Sequence, residues 1–118
     1  LATIGRDAVP ELLLALEKDK VDERTKISII QLLSKIGDVV ACPPLVRALG
    51  DKDIHFYAQI ALGKFGEQAK PSLLEGLSAS EPEVRSGVAE AIGYLKIAEA
   101  HVVQKLTHGK NQGIYEFF

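Results

Sequence analysis

The chain has 118 residues, 47% of them hydrophobic and 25% charged, with a formal net charge of −2. That length and balance suit one globular domain with a sizeable core, and the small net charge excludes a general attraction to nucleic acid or to an anionic membrane. No apolar run approaches the roughly 20 residues that cross a bilayer, residues 1–6 lack the layout of a signal peptide, and the single Cys42 excludes an internal disulfide and fits a reducing, cytoplasmic setting.

Leu1 to Ile4 read as the tail of a helix, and Gly5 and Pro10 then introduce a short helix over about 9–18. Thr25, Ile29, Leu32, Leu33 and Ile36 follow at i, i+4, i+7, i+8 and i+11, one apolar stripe of a helix over about 23–36. Gly37 and Pro43 separate it from a short helix over 43–50. Ile54, Ala58, Ala61, Leu62 and Phe65 repeat the long stripe over 53–65, and Gly66 and Pro71 lead into a short helix over 70–78. Val84, Val88, Ala91, Ile92 and Leu95 write the stripe again over 82–95, followed by a short helix over 98–107. The long helices are termed A and the short ones B. Gly37 and Gly66 suit the left-handed residue that ends a helix, and Pro10, Pro43 and Pro71 suit a first helical turn, where no N–H bond is lost.

The B helices share one pattern: Pro10-x-Leu12-Leu13-x-x-Leu16, Pro43-x-Leu45-Val46-x-x-Leu49 and Pro71-x-Leu73-Leu74-x-x-Leu77. A fourth, worn copy reads Ala100-x-Val102-Val103-x-x-Leu106 and follows Leu95-Lys96 in place of an apolar residue and Gly. The closing leucines are 33, 28 and 29 residues apart, a period that marks stacked repeats. Neither helix of a pair can bury its stripe alone, so a neighbouring pair must cover it. Small residues (Ala58, Ala61, Ala89, Ala91 and Gly93) are expected to let adjacent A helices approach closely. The reading is one all-α domain: a partial unit over 1–19, units over 20–51, 52–80 and 81–109, and the start of another at 110–118. The first residues fall inside a repeat, and Ile114, Tyr115, Phe117 and Phe118 have no following B helix to cover them. This predicts a piece of a longer array, or self-association through apolar terminal repeats.

Polar residues recur in the B helices. The position after each Pro reads Glu11, Pro44, Ser72 and His101, and three residues on it reads Leu14, Arg47, Glu75 and Gln104. Spacing of i,i+3 places the two columns on one stripe, which Lys18 extends. The stripe alternates in sign and is the candidate contact face for another protein. A second set of charges belongs to the scaffold. Asp22, Asp51 and Glu81 stand at the starts of the A helices, where acids meet the positive end of the helix dipole, and Lys26, His55 and Arg85 follow four residues later. Catalytic and metal constellations are missing from the pattern: His101 and His108 lie two turns apart, too far for one metal without further ligands. Cys42 precedes Pro43 at a helix start, where a thiol can be activated, but reads as a loop-filling residue. The 14 Lys and Arg are scattered among acids and form no basic stripe, which disfavours nucleic acid.

Pro71 with Leu73, Leu74 and Leu77, and Glu83-Val84-Arg85 followed by Ala89, Ala91, Ile92 and Gly93, resemble HEAT repeats, in the short prokaryotic form of phycobilin-lyase-like proteins. The resemblance covers nearly the whole chain. It implies a right-handed α-solenoid of antiparallel helix pairs, an armadillo-like superhelix with the B helices on its concave side. It also implies a charge ladder between repeats, which Arg85 matches and Lys26 and His55 do not. The function it implies is a non-enzymatic scaffold or adaptor that binds another protein on the concave B-helix face, with no cofactor. The alternative is a bilin lyase or lyase-chaperone subunit that works with a tetrapyrrole and a client protein; a nucleic-acid-binding module is the second alternative.

Overall fold

The computed structural model describes the backbone of residues 2–106 and the side chains of residues 5–96. The expectations for residues 110–118 and His108 lie outside it, as do the side chains of His101 and Gln104. Among the described residues the chain is all-helical. Seven α-helices follow in order: α1 (Ala2–Asp7), α2 (Val9–Leu16), α3 (Glu23–Ile36), α4 (Cys42–Ala48), α5 (His55–Phe65), α6 (Lys70–Gly76) and α7 (Pro82–Leu106). Single 3-10 turns at Val39–Ala41 and Gly66–Ala69 lead into α4 and α6.

The punctuation acts as its chemistry dictates. Asp22 caps α3 by accepting the Thr25 N–H at 2.9 Å, which satisfies one of the donors that a helix start leaves open. Gly37 ends α3 at φ 76° and ψ 19°, and its N–H reaches the Leu33 carbonyl at 3.0 Å. Gly66 ends α5 at φ 62° and ψ −130°, a backbone that a side chain would strain. Pro10, Pro43 and Pro71 all stand in the first turns of α2, α4 and α6.

α4 is the centre of the core. All of its residues except Pro43 and Arg47 are buried, and it packs against α5, α6 and α7. Leu45 is completely enclosed, a placement that stabilises by about 1.5–3 kcal/mol per large aliphatic side chain. The long helices lie side by side, α3 on α5 and α5 on α7. On α5 the expected stripe is buried throughout: Ile54, Ala58, Ala61, Leu62 and Phe65. On α3 the stripe is rotated. Ile29, Ile30 and Leu33 are buried, while Thr25 and Leu32 are exposed. The reason is unequal cover: α5 has long helices on both sides, whereas α3 has α5 on one side and only the short α1 and α2 besides.

Two further expectations are corrected. The last A and B helices are not separate. α7 runs 25 residues without a break, through the positions assigned to a helix over 98–107. Lys96, Ile97, Ala98, Glu99 and Ala100 replace the Gly and Pro of the earlier connections, and all of them propagate a helix well. The residues that allow close approach also differ in part. Ala58, Ala61 and Ala91 are buried as expected, but Ala89 is exposed and Gly93 has open space beside it. The close contact on α7 is made by Gly87, which rests on the backbone of Leu49 and leaves no room for a Cβ.

These contacts separate two glycines of one helix. Gly87→Ala is expected to destabilise by roughly 1–3 kcal/mol through overpacking against Leu49. Gly93→Ala is expected to stabilise by about 0.5–1 kcal/mol, because it removes backbone freedom without meeting a neighbour. Urea denaturation of the two variants distinguishes them. The Asp22 cap predicts a pH dependence. Hydrogen bonds from Thr25, with the nearby charge of Arg24, hold its carboxyl below the ordinary value of 3.8. A depressed carboxyl contributes stability above that value and loses it as the pH falls. Asp22→Ala should therefore lower the melting midpoint at neutral pH, and the gap from the parent chain should narrow below pH 3.8 in thermal melts.

Candidate protein-binding surface

The third residue of each short helix pairs poorly with the expected stripe, and the sixth fits it well. Leu14 on α2, Arg47 on α4 and Glu75 on α6 are all exposed, Leu14 by 64%. Their equivalence in the repeat gives the surface one apolar, one basic and one acidic side chain on successive helices. Glu11 and Lys18 extend it and are exposed, whereas Ser72 is half-buried. Pro44 does not belong to the surface. It is buried, because α4 is covered on more sides than α2 or α6.

Arg47 is not a free charge. Its Nε donates to Glu17 Oε2 at 2.8 Å, and a terminal nitrogen lies 2.6 Å from the same oxygen. Glu17 directly follows α2, so the contact ties one short helix to the next. Both side chains are about half exposed, 56% and 50%, which limits the pair to roughly 0–1 kcal/mol. Its larger effect is to hold the guanidinium in place. Beside it, Asp51, Glu81 and Glu83 share a shallow cleft of about 390 Å³ with Arg47. The face therefore presents a fixed cation next to an acidic notch, with Leu14 and Glu75 on the neighbouring helices.

The scaffold charges work differently from the expected acid-to-base pairs four residues apart. No ion pair joins Asp22 to Lys26, Asp51 to His55 or Glu81 to Arg85. Asp51 instead accepts the Asp53 N–H at 2.9 Å and shapes the turn before α5. Arg85 donates to the carbonyls of Ala79 and Ser80 at 2.6 and 3.1 Å, which pins the turn before α7. His55 places one ring nitrogen 3.0 Å from the Lys52 carbonyl and the other 3.6 Å from Glu90. Gln59, the one buried polar side chain among the described residues, donates to the same Glu90 at 3.1 Å. Glu90 thus bridges two residues of α5 from α7. Sequence reasoning missed both Gln59 and Glu90. The available signal was a Gln inside an otherwise apolar stretch of α5, with an acid about one period later.

Cys42 is fully enclosed in the first turn of α4, and burial pushes its thiol up from the ordinary value of 9.0. A thiol so placed is a packing group rather than a nucleophile. Among the described residues no three His, Cys, Asp or Glu side chains converge as metal ligands, and no helix is long and apolar enough to cross a membrane. Compared with protein-family models and with curated proteins, the sequence matches none.

The enclosure of Cys42 gives a direct chemical expectation. In the native protein a soluble disulfide reagent should label Cys42 only as fast as the chain opens, and addition of urea past the unfolding midpoint should accelerate labelling by orders of magnitude. Rapid native labelling would contradict the burial.

Proposed function

We propose that this chain is a non-enzymatic protein-interaction module, a right-handed α-solenoid of HEAT-like helix pairs that binds a partner protein on the face of its short helices. The observation that carries the reading is the column Leu14, Arg47 and Glu75. One repeat position is exposed on three successive short helices, while Leu16, Leu45, Val46, Leu49 and Leu73 near it are buried. The molecule's extents of 51 × 37 × 24 Å suit a row of helix pairs, and the side-by-side order of α3, α5 and α7 supports translation from one pair to the next.

A surface of this kind selects by pattern rather than by total charge. Its signs alternate, so a partner must offer an acid opposite Arg47 and a base opposite Glu75, with an apolar side chain for Leu14. Wrong partners are rejected by like charges, which cost several kcal/mol when brought together. The bilin-lyase alternative gains nothing from Cys42, whose thiol is enclosed and pushed up by burial.

The test is charge reversal on the exposed column. Once a partner has been captured with the full chain, Arg47→Glu and Glu75→Arg should each weaken it by roughly tenfold or more, equivalent to 1.4 kcal/mol. Circular dichroism should show little change, since both sites are exposed. Unchanged affinity in both variants, measured by calorimetry, would remove this face as the binding surface.

A further inference from the structure

The short helices cover one another in sequence, and among the described residues α6, the last of them, has none to cover it. Val46 and Leu49 on and after α4 are 4% and 3% exposed, because α6 and α7 pack across them. Leu74 and Leu77 hold the same repeat positions on and after α6, yet they are 63% and 43% exposed. Beside Leu74 opens a groove of about 650 Å³ between α5, the Gly66–Ala69 turn, α6 and α7. Ile60, Leu73, Ile92 and Leu95 contribute to its apolar lining.

The repeat register names the sequence that should lie there. Residues 100–106 carry Val102, Val103 and Leu106 in the positions of Leu73, Leu74 and Leu77. In the two preceding units a positive-φ glycine, Gly37 or Gly66, and a first-turn proline fold the short helix back onto its neighbour. Here neither residue is present, and α7 runs straight through Leu106. At about 1.5 Å per residue, Val103 stands some 12 Å further along the helix axis than Leu95. The sequence that matches the groove is carried away from the groove of its own chain.

We propose that two copies of this chain exchange these segments: residues 98–106 of each copy lie along α6 of the other, over Leu74 and Leu77. The arrangement is two-fold and closed, since each copy supplies one helix end and one groove. It supplies the contact that the register predicts without breaking α7. The surface shares α6 with Glu75 but not α4 with Arg47, so Arg47→Glu tests the interaction face and Leu74→Glu tests the dimer independently.

Light scattering coupled to size exclusion on the full chain should give twice the 12.8 kDa chain mass. Leu74→Glu, at an exposed site, should raise the dissociation constant of the dimer at least tenfold with the helical signal intact. The pair Lys96→Gly with Ala100→Pro restores the missing punctuation, so its short helix should fold back within one chain and yield a monomer. Chains carrying only Leu74→Cys, mixed with chains carrying only Val103→Cys, should form a covalent mixed dimer on mild oxidation, with the enclosed Cys42 silent. Three results would overturn the proposal: a monomeric parent chain at micromolar concentration, a dimer that survives both Leu74→Glu and the Gly-Pro pair, or a disulfide within single chains of the combined Leu74→Cys and Val103→Cys variant.

Discussion

Short helices of seven or eight residues do not hold themselves together in water, because the cost of nucleating a helix is spread over too few bonds. Here α2, α4 and α6 have those lengths. They exist because their leucines are buried against other helices, and the degree of burial follows from how many neighbours each one has. α4 has α5, α6 and α7 around it and buries nearly every residue. Among the described residues no short helix follows α6, and Leu74 is left in solvent. Cover by a neighbour is the constraint from which the rest follows, including the rotation of the buried stripe on α3 and the groove beside α6.

The second constraint is local and concerns where a helix is made to stop. Gly37 and Gly66 accept positive φ, and Pro43 and Pro71 start the next helix without losing a hydrogen bond. These two devices convert a long amphipathic sequence into pairs that can stack. After Leu95 both devices are missing while the leucine and valine columns persist. Local preference then decides the backbone, and α7 continues. The conflict between a retained packing pattern and a lost turn is confined to one end of the molecule.

Helix positions were legible in the sequence wherever spacing and punctuation agreed. α3 falls on the expected 23–36 without error, and the stripe of α5 is buried as written. Continuity of α7 was also readable, from the absence of Gly and Pro between Leu95 and Val102, but the repeat pattern pointed the other way and carried more weight. The side-chain networks were less accessible. Charges at i and i+4 suggested pairs within one helix, whereas Glu17 reaches Arg47 and Glu90 reaches His55 and Gln59 across helices. Such contacts depend on the angle and offset between packed helices, and a single sequence does not encode these in any periodicity. Pro44 failed for a related reason: a column identifies equivalent positions, but the number of neighbours at each position sets its exposure.

The two surfaces of the molecule obey different physics, which bears on how they can operate together. The Leu14, Arg47 and Glu75 column sets two opposite charges beside one leucine, so contacts made on it would be selective and would weaken with salt. The groove beside α6 is mostly apolar, and burial there scales with area and is not weakened by the screening that weakens ionic contacts. α4 carries Arg47 on its exposed side, while Val46 on its buried side packs against α6, which carries both Glu75 and the Leu74 edge of the groove. α4 has no room to move independently, since nearly all of it is enclosed. A partner docked on the charged face would therefore meet a surface already fixed by the core, and the apolar end could be covered without rearranging that face. The two surfaces meet on α6, where Leu74 and Glu75 are neighbours, and the enclosed α4 that packs against this helix holds both in place.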